Sequence, residues 1–288
     1  RPHFQIATFT TFSRCRPQNR MNYFAQFYAG TPNAQDLVNA KVYLKNYAVL
    51  ATAGSFGDFR MGELSGDAGA MLGSLAANGY CTYAVGWLGT SSTFNGSLVD
   101  NTSPGPNSLN KVGAGTLTLG GTNTHSGLTT VSAGRLIVNG MLQANTNLVN
   151  VSNGAALGGT GLVLRVVNVA SNATVDAGWS TNVVGTLTVS SNVTFATGAK
   201  LAVDLSGATA DLLNVTAGSV AVSGTGVVTI NVRGNPGSKY EWEIVKSTSG
   251  SVPSASRFVT DDINYFCTVR GSTVLLGRKG KGTLIQVF

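Results

Sequence analysis

Histidine is nearly missing from this chain: His3 and His125 are the two in 288 residues. A His-based metal cluster or proton relay therefore has no partners to draw on. Charge is scarce as well. Asp, Glu, Lys and Arg make up 11% of the sequence, and the twelve acids are scattered. Hydrolysis of polymers usually needs paired carboxylates. Here Asp204 with Asp211, and Asp261 with Asp262, stand close enough in sequence to share a place. Cysteine is sparse too. Cys15, Cys81 and Cys267 lie far apart, without metal-type spacing, and allow at most one intrachain disulfide. No apolar run approaches the roughly 18–20 residues of a membrane helix, so no membrane insertion is expected. The stretch GAGTLTLGG at 113 has the glycines of a phosphate loop. It lacks the lysine and the strand–loop–helix context such a loop needs. The expectation is a non-enzymatic protein without cofactor or resident metal.

What the chain does have is glycine (37 residues) and a 43% hydrophobic fraction, too high for disorder. A surface poor in charge has to be built from Ser, Thr, Asn and Gly. That composition favours many short strands separated by tight turns. The net charge of +7 is thin in the middle and heavier at both ends, in Arg1, Arg14, Arg16 and Arg20 and again in Arg278, Lys279 and Lys281. Charge spread this way does not make the stripe that a nucleic-acid binder presents.

Strand-like runs recur. TTVSAGRLIVNG, NVSNGAALGG, NVASNATVDAG, TVSSNVTFATG and NVTAGSVAVSG align on Val131, Val151, Val169, Val189 and Val215, at spacings of 20, 18, 20 and 26. A repeat near 20 residues, with apolar residues alternating and no helical period, signals a solenoid of strands. Each unit is too short to bury an apolar face alone, so it must stack on its neighbours. Parallel strands joined by crossovers wind right-handed. The expected architecture is a right-handed parallel β-helix of roughly twelve coils between about residues 40 and 275. Asn153, Asn172 and Asn192 fall at one phase just past their strands. They suit left-handed corners, and their amides could stack as a ladder. His125, in the polar loop GGTNTHSGL, is expected to be exposed. Trp87, Trp179 and Trp242 are candidates for stacking on sugars.

The stretch KVGAGTLTLGGTNTHSGLTTVSAGRLIVNG (111–140) resembles the autotransporter-associated β-strand repeat of bacterial secreted and surface proteins. GELSGDAGAML and STFNGSLVD before it are similar to the coils that precede that repeat, and GTLTVSSNVTFATGAKLAVDLSG with ADLLNVTAG to those that follow. The resemblance implies a β-helical passenger-type stalk, located outside the cell or on its surface, and carries no catalytic residues. The chain then divides into an arm or cap (1–40), β-helix coils (41–235) and a C-terminal β cap (236–288), with a hairpin expected across Gly277 to the glycine at 282. Phe4, Ile6, Phe9, Phe12 and Cys15 in the arm, with Cys267 near the other end, are the expected subunit interface. They would join copies head to tail into a homopolymeric fibre or surface layer. The alternative is an adhesin or glycan-binding stalk, with surface glycans as partners.

Overall fold

The computed structural model describes residues 24–28, 36–53, 57–73, 79–100, 105–178 and 183–280. Among them the chain is strand and turn, with a single 3-10 turn at Ala255–Arg257. Among the described residues no helix is long and apolar enough to cross a membrane. The strands pair almost throughout in parallel, as a parallel β-helix requires, and fall into two compact units.

The first unit runs to Leu136 and includes Gly140–Asn147. Strand Asp58–Gly66 is flanked in parallel by Asp36–Leu44 and Thr82–Val85, and Ser108–Lys111 and Thr129–Val131 continue the stack. A second side is built by Phe24–Tyr28, Val49–Ala53, Met71–Leu72 and Ser97–Leu98. Alternation aims every second side chain inward. Leu50, Leu72 and Leu98 thus stack in register at 4% exposure or less. Met61, Val85, Lys111 and Val131 form another inward row, in which the third member is a lysine.

The second unit comprises Ile137–Asn139 and Leu148 onward. Stacked apolar rows fill its bore, three of them as follows. Val149, Val167, Val193 and Val220 make the first. Leu157, Val175, Leu201 and Ile230 make the second. Val163, Val189 and Val215 make the third. All eleven are buried, and each contributes roughly 1.5–3 kcal/mol on leaving water.

This corrects the valine alignment. Val151 does stack on Val169, but Val169 stacks on Phe195, while Val189 belongs to another side with Val163 and Val215. The coil is not a fixed 20 residues either. Val151 over Val169 is 18, and Val215 over Ser247 is 32. Fewer coils are therefore needed than a uniform spacing suggests. Corners tolerate insertions because only the strands must stay in register.

Parallel stacking ends in the last strands. Glu241–Ser247 is parallel to Leu212–Val215 on one side and antiparallel to Thr273–Arg278 on the other. That strand also pairs antiparallel with Tyr265–Arg270. A hairpin turn lies at Gly271–Ser272, where Gly271 has φ +56°. Gly277 sits within a strand opposite Phe266, whose ring occupies the space a Cβ would need, and the hairpin expected across Gly277 to the glycine at 282 runs into residues outside those described.

Candidate functional site

Among the described residues, a cluster of three acids lies at one corner of the second unit. Strand Lys200–Ser206 runs between Thr174–Asp176 and Val228–Asn235, which places Asp204 directly opposite Arg233 and Asp176 one coil further along. Beyond Ser206 the chain folds back through Thr209–Ala210, antiparallel to Leu205–Ser206. That return delivers Asp211 to Asp204. The Asp211 N–H donates to the Asp204 carbonyl at 3.0 Å, and the Asp204 N–H donates to Asp211 Oδ2 at 2.9 Å. The Gly185 N–H, at the entry to Thr186–Val189, donates to Asp211 Oδ1 at 2.7 Å. A Cβ on Gly178 would sit 3.2 Å from that oxygen, so a side chain there would crowd the carboxylate.

Arg233 ties the coils together. Its Nε and Nη2 donate to the two oxygens of Asp204 at 2.9 and 2.7 Å, and Nη2 also donates to Asp176 Oδ1 at 2.7 Å. The three carboxylates are exposed by 1% or less, and each offers an oxygen within 4.8 Å of the others. The Arg233 guanidinium thus bonds two of the three acids. Burial, and then the charges of Asp204 and Asp176, push the Asp211 carboxyl up to about 7 against the two backbone N–H donors that favour its ionised form. Burial disfavours the Arg233 charge, but Asp176 and Asp204 outweigh it and hold the guanidinium above its ordinary range. Groups this enclosed cannot reach a polymer substrate. Their hydrogen bonds join successive coils.

A second buried cation sits in the first unit. Lys111 takes its inward place in the Met61–Val85 row and is 1% exposed. Its Nζ donates to the carbonyls of Val112, Gly113 and Ala133 at 2.7, 2.8 and 3.1 Å. Three acceptors match the three protons of an ammonium. Burial lowers the group to about 8, so at neutral pH most molecules still carry all three protons. Asn123 works the same way between coils. Its Oδ1 accepts from the Leu98 N–H, and its Nδ2 donates to the carbonyls of Gly121 and Met141, each at 3.1 Å.

His125 is fully buried, contrary to its expected exposure. The inward alternation of Leu117 and Leu119 resumes through Asn123 to His125 after the Gly120–Gly121 turn. Its Nε2 lies 2.9 Å from Thr129 Oγ1. Nearby, Asp100 accepts from the N–H groups of Asn107 and Ser126, both at 2.8 Å. Asn147 donates to the Ser126 carbonyl at 2.6 Å. Polar residues of this loop are cement between coils.

The remaining candidates divide. Asn153 donates to the Ser171 carbonyl at 2.9 Å, Asn192 Oδ1 accepts from the Ser219 N–H at 2.9 Å, and Asn172 occupies a left-handed corner with φ +59°. Direct amide-to-amide contact occurs on the strands, where Asn168 Nδ2 donates to Asn150 Oδ1 at 3.3 Å. Asp261 accepts from Asn231 Nδ2 and the Val232 N–H, while Asp262 accepts from both nitrogens of Asn264. These neighbouring acids fasten different turns. Trp242 is core, 2% exposed, whereas Trp87 is 47% exposed with the Arg60 guanidinium 5.7 Å from its ring centroid. Burial pushes the half-buried Cys267 thiol up to about 11 and the buried Cys81 thiol up to about 12, so neither is primed to react. Phe4, Ile6, Phe9, Phe12, Cys15 and Trp179 lie outside the described residues.

Coils of this kind, with polar residues committed to their own cohesion, define a β-solenoid wall. Residues 109–138, which hold Lys111, Asn123 and His125, match the passenger-associated-transport-repeat family. The chain is also similar to the adhesin BmaC autotransporter of Brucella suis biovar 1 (strain 1330), 40% identical over 74 residues. That match covers 26% of this chain and 2% of the relative.

Proposed function

We propose that this chain is a non-enzymatic segment of a surface-exposed, passenger-type protein of the adhesin kind, serving as a solenoid stalk outside the cell. The observation that carries the reading is the repeat at 109–138 on a coil whose buried polar groups serve cohesion. The similarity to an autotransporter adhesin supports it. The burial of Asp176, Asp204 and Asp211 argues against hydrolysis at that cluster. Antibody raised against this segment should label intact cells that make the natural protein, and the purified chain should release no reducing ends from a polysaccharide panel. Labelling only after permeabilisation would refute the location. Cleavage lost on Asp204→Ala or Asp211→Ala would refute the non-enzymatic reading.

A second reading is self-association into an extracellular fibre. Val259, Ile263 and Phe266 are exposed by 43%, 81% and 39%. They lie on or between strands Phe258–Thr260 and Tyr265–Arg270, each paired on one side among the described residues. Exposed apolar side chains near strands with an open edge among the described residues favour added contacts. Sedimentation velocity should then show concentration-dependent oligomers that Ile263→Asp reduces at least tenfold. A wild-type protein that stays monomeric at high micromolar concentration rules the fibre out.

A further inference from the structure

One side of the second unit turns an uncharged groove outward. Strands Val149–Val151, Val167–Val169, Val193–Phe195 and Val220–Val222 stack there in register. Val149, Val151, Val167, Val169, Val193 and Phe195 are buried. The residues between them, Asn150, Asn168 and Thr194, therefore face out. Just past the strands come Ala170 and Ala196, whose N–H groups donate to the carbonyls of Val151 and Val169 at 2.9 and 2.7 Å. The two alanines stack as a second outward row. They end at Cβ, so the space beside the amides stays open. These residues, with Ser152 and Ser223, line a groove of about 340 Å³. That is the small end of the roughly 300–1,000 Å³ of ligand sites. Asn168 Nδ2 donates to Asn150 Oδ1 at 3.3 Å. The bond orders the pair, leaving Asn150 Nδ2 to donate and Asn168 Oδ1 to accept, with the Thr194 hydroxyl one strand on. None of these three atoms has a protein partner among the described residues.

The chemistry of the groove narrows its occupant. No lining residue is charged, so an ion would find no counter-charge. At the Ser223 end, Arg257 donates its Nη2 to the carbonyls of Val222 and Gly224 at 3.2 and 2.8 Å. A purely apolar ligand would strand the amides away from water. An added peptide strand needs a free strand edge, and Val167–Val169 and Val193–Phe195 are paired on both sides. What fits is an uncharged molecule rich in hydroxyls, with C–H faces to lie on the alanines. We propose that this groove binds a short stretch of a neutral saccharide. Asn150 Nδ2 donates to one sugar hydroxyl and Asn168 Oδ1 accepts from another, while Ala170 and Ala196 carry the ring. A chain lying across the strands meets a polar side chain about every 4.8 Å. No aromatic ring lines the open groove, so the affinity is weak, on the order of millimolar. The site adds a binding role to the stalk and does not depend on where the chain is located.

The test is a nuclear magnetic resonance titration of the purified, 15N-labelled chain. The probes are neutral oligosaccharides of glucose, galactose, mannose and N-acetylglucosamine, with oligogalacturonate as the charged comparison. A neutral oligosaccharide should shift the side-chain amide signals of Asn150 and Asn168 saturably, and oligogalacturonate should not. Ala196→Phe, which fills the groove and leaves both amides in place, should weaken binding about tenfold or more. Asn168→Leu, which removes the acceptor, should do the same independently. Both positions lie outside the bore, and circular dichroism should show both variants folded. The site is overturned if no neutral oligosaccharide shifts these signals at up to about 10 mM. An equal response to oligogalacturonate, or binding that survives both substitutions, overturns it as well.

Discussion

Replacing Arg233 by alanine should lower the stability of the second unit by about 3–5 kcal/mol, the cost of breaking a buried ion pair by removing one partner. The loss exceeds the energy of three hydrogen bonds because Asp176 and Asp204, each exposed by 1% or less, are buried acids that lose the Arg233 cation. Arg233 also staples three successive coils, since Asp176, Asp204 and Arg233 come from strands stacked in that order. Urea unfolding followed by far-UV circular dichroism measures the loss. The diagnostic step is the triple variant Arg233→Ala with Asp176→Asn and Asp204→Asn. Neutralising the stranded acids should recover part of the stability, a coupling that a side chain contributing only packing would not show. A loss below about 1 kcal/mol would mean that the pair behaves as a solvated surface bridge.

The sequence made the wall legible and hid what holds it. Val149, Val151, Val167 and Val169 alternate with asparagines, and that period of two gave both the strands and the faces they bury. Strand identity is local, so local pattern suffices. Register is not local. Val189 looked like the next step after Val169, yet a longer corner moved it to another side of the coil. Asp204 and Asp211, seven residues apart, could be supposed to meet. Asp176 and Arg233, 57 residues apart, could not, because their contact exists only once three coils are in register. Lys111 and His125 were missed for another reason. Polarity suggests water, but the alternation that places Val85 and Leu117 inward places these two inward as well. Their positions in the repeat outweighed their chemistry, and the carbonyls of Val112, Gly113 and Ala133 or the hydroxyl of Thr129 then supplied the partners.

Gly113→Ala should cost about 3 kcal/mol or more, although it adds one methyl group. Two penalties combine there. Gly113 has φ +67°, a left-handed conformation that costs a residue with a Cβ roughly 1–2 kcal/mol. A Cβ would also overlap the Gly86 carbonyl of the preceding coil. Backbone cannot move aside as a flexible side chain can, so the coils must separate locally. The crowding is repeated. Gly86, at φ +116°, makes room for the Val112 carbonyl, and Gly134, at φ +64°, makes room for the carbonyls of Gly113 and Gly115. These glycines pack the turn against which the Lys111 ammonium is held, for a Cβ on Gly86 would lie 3.3 Å from its Nζ. Displacing this turn therefore also strains the ammonium's bonds to Val112, Gly113 and Ala133. Gly89→Ala is the control. That residue, in the same unit, has φ +69°, but its nearest neighbour would be the Ala114 nitrogen at 4.0 Å. It should lose only the conformational part, about 1 kcal/mol. Thermal unfolding of the two variants separates the causes. A Gly113→Ala loss clearly larger than that of Gly89→Ala locates the extra cost in the approach of successive coils, and equal losses would show that the coils yield at that turn.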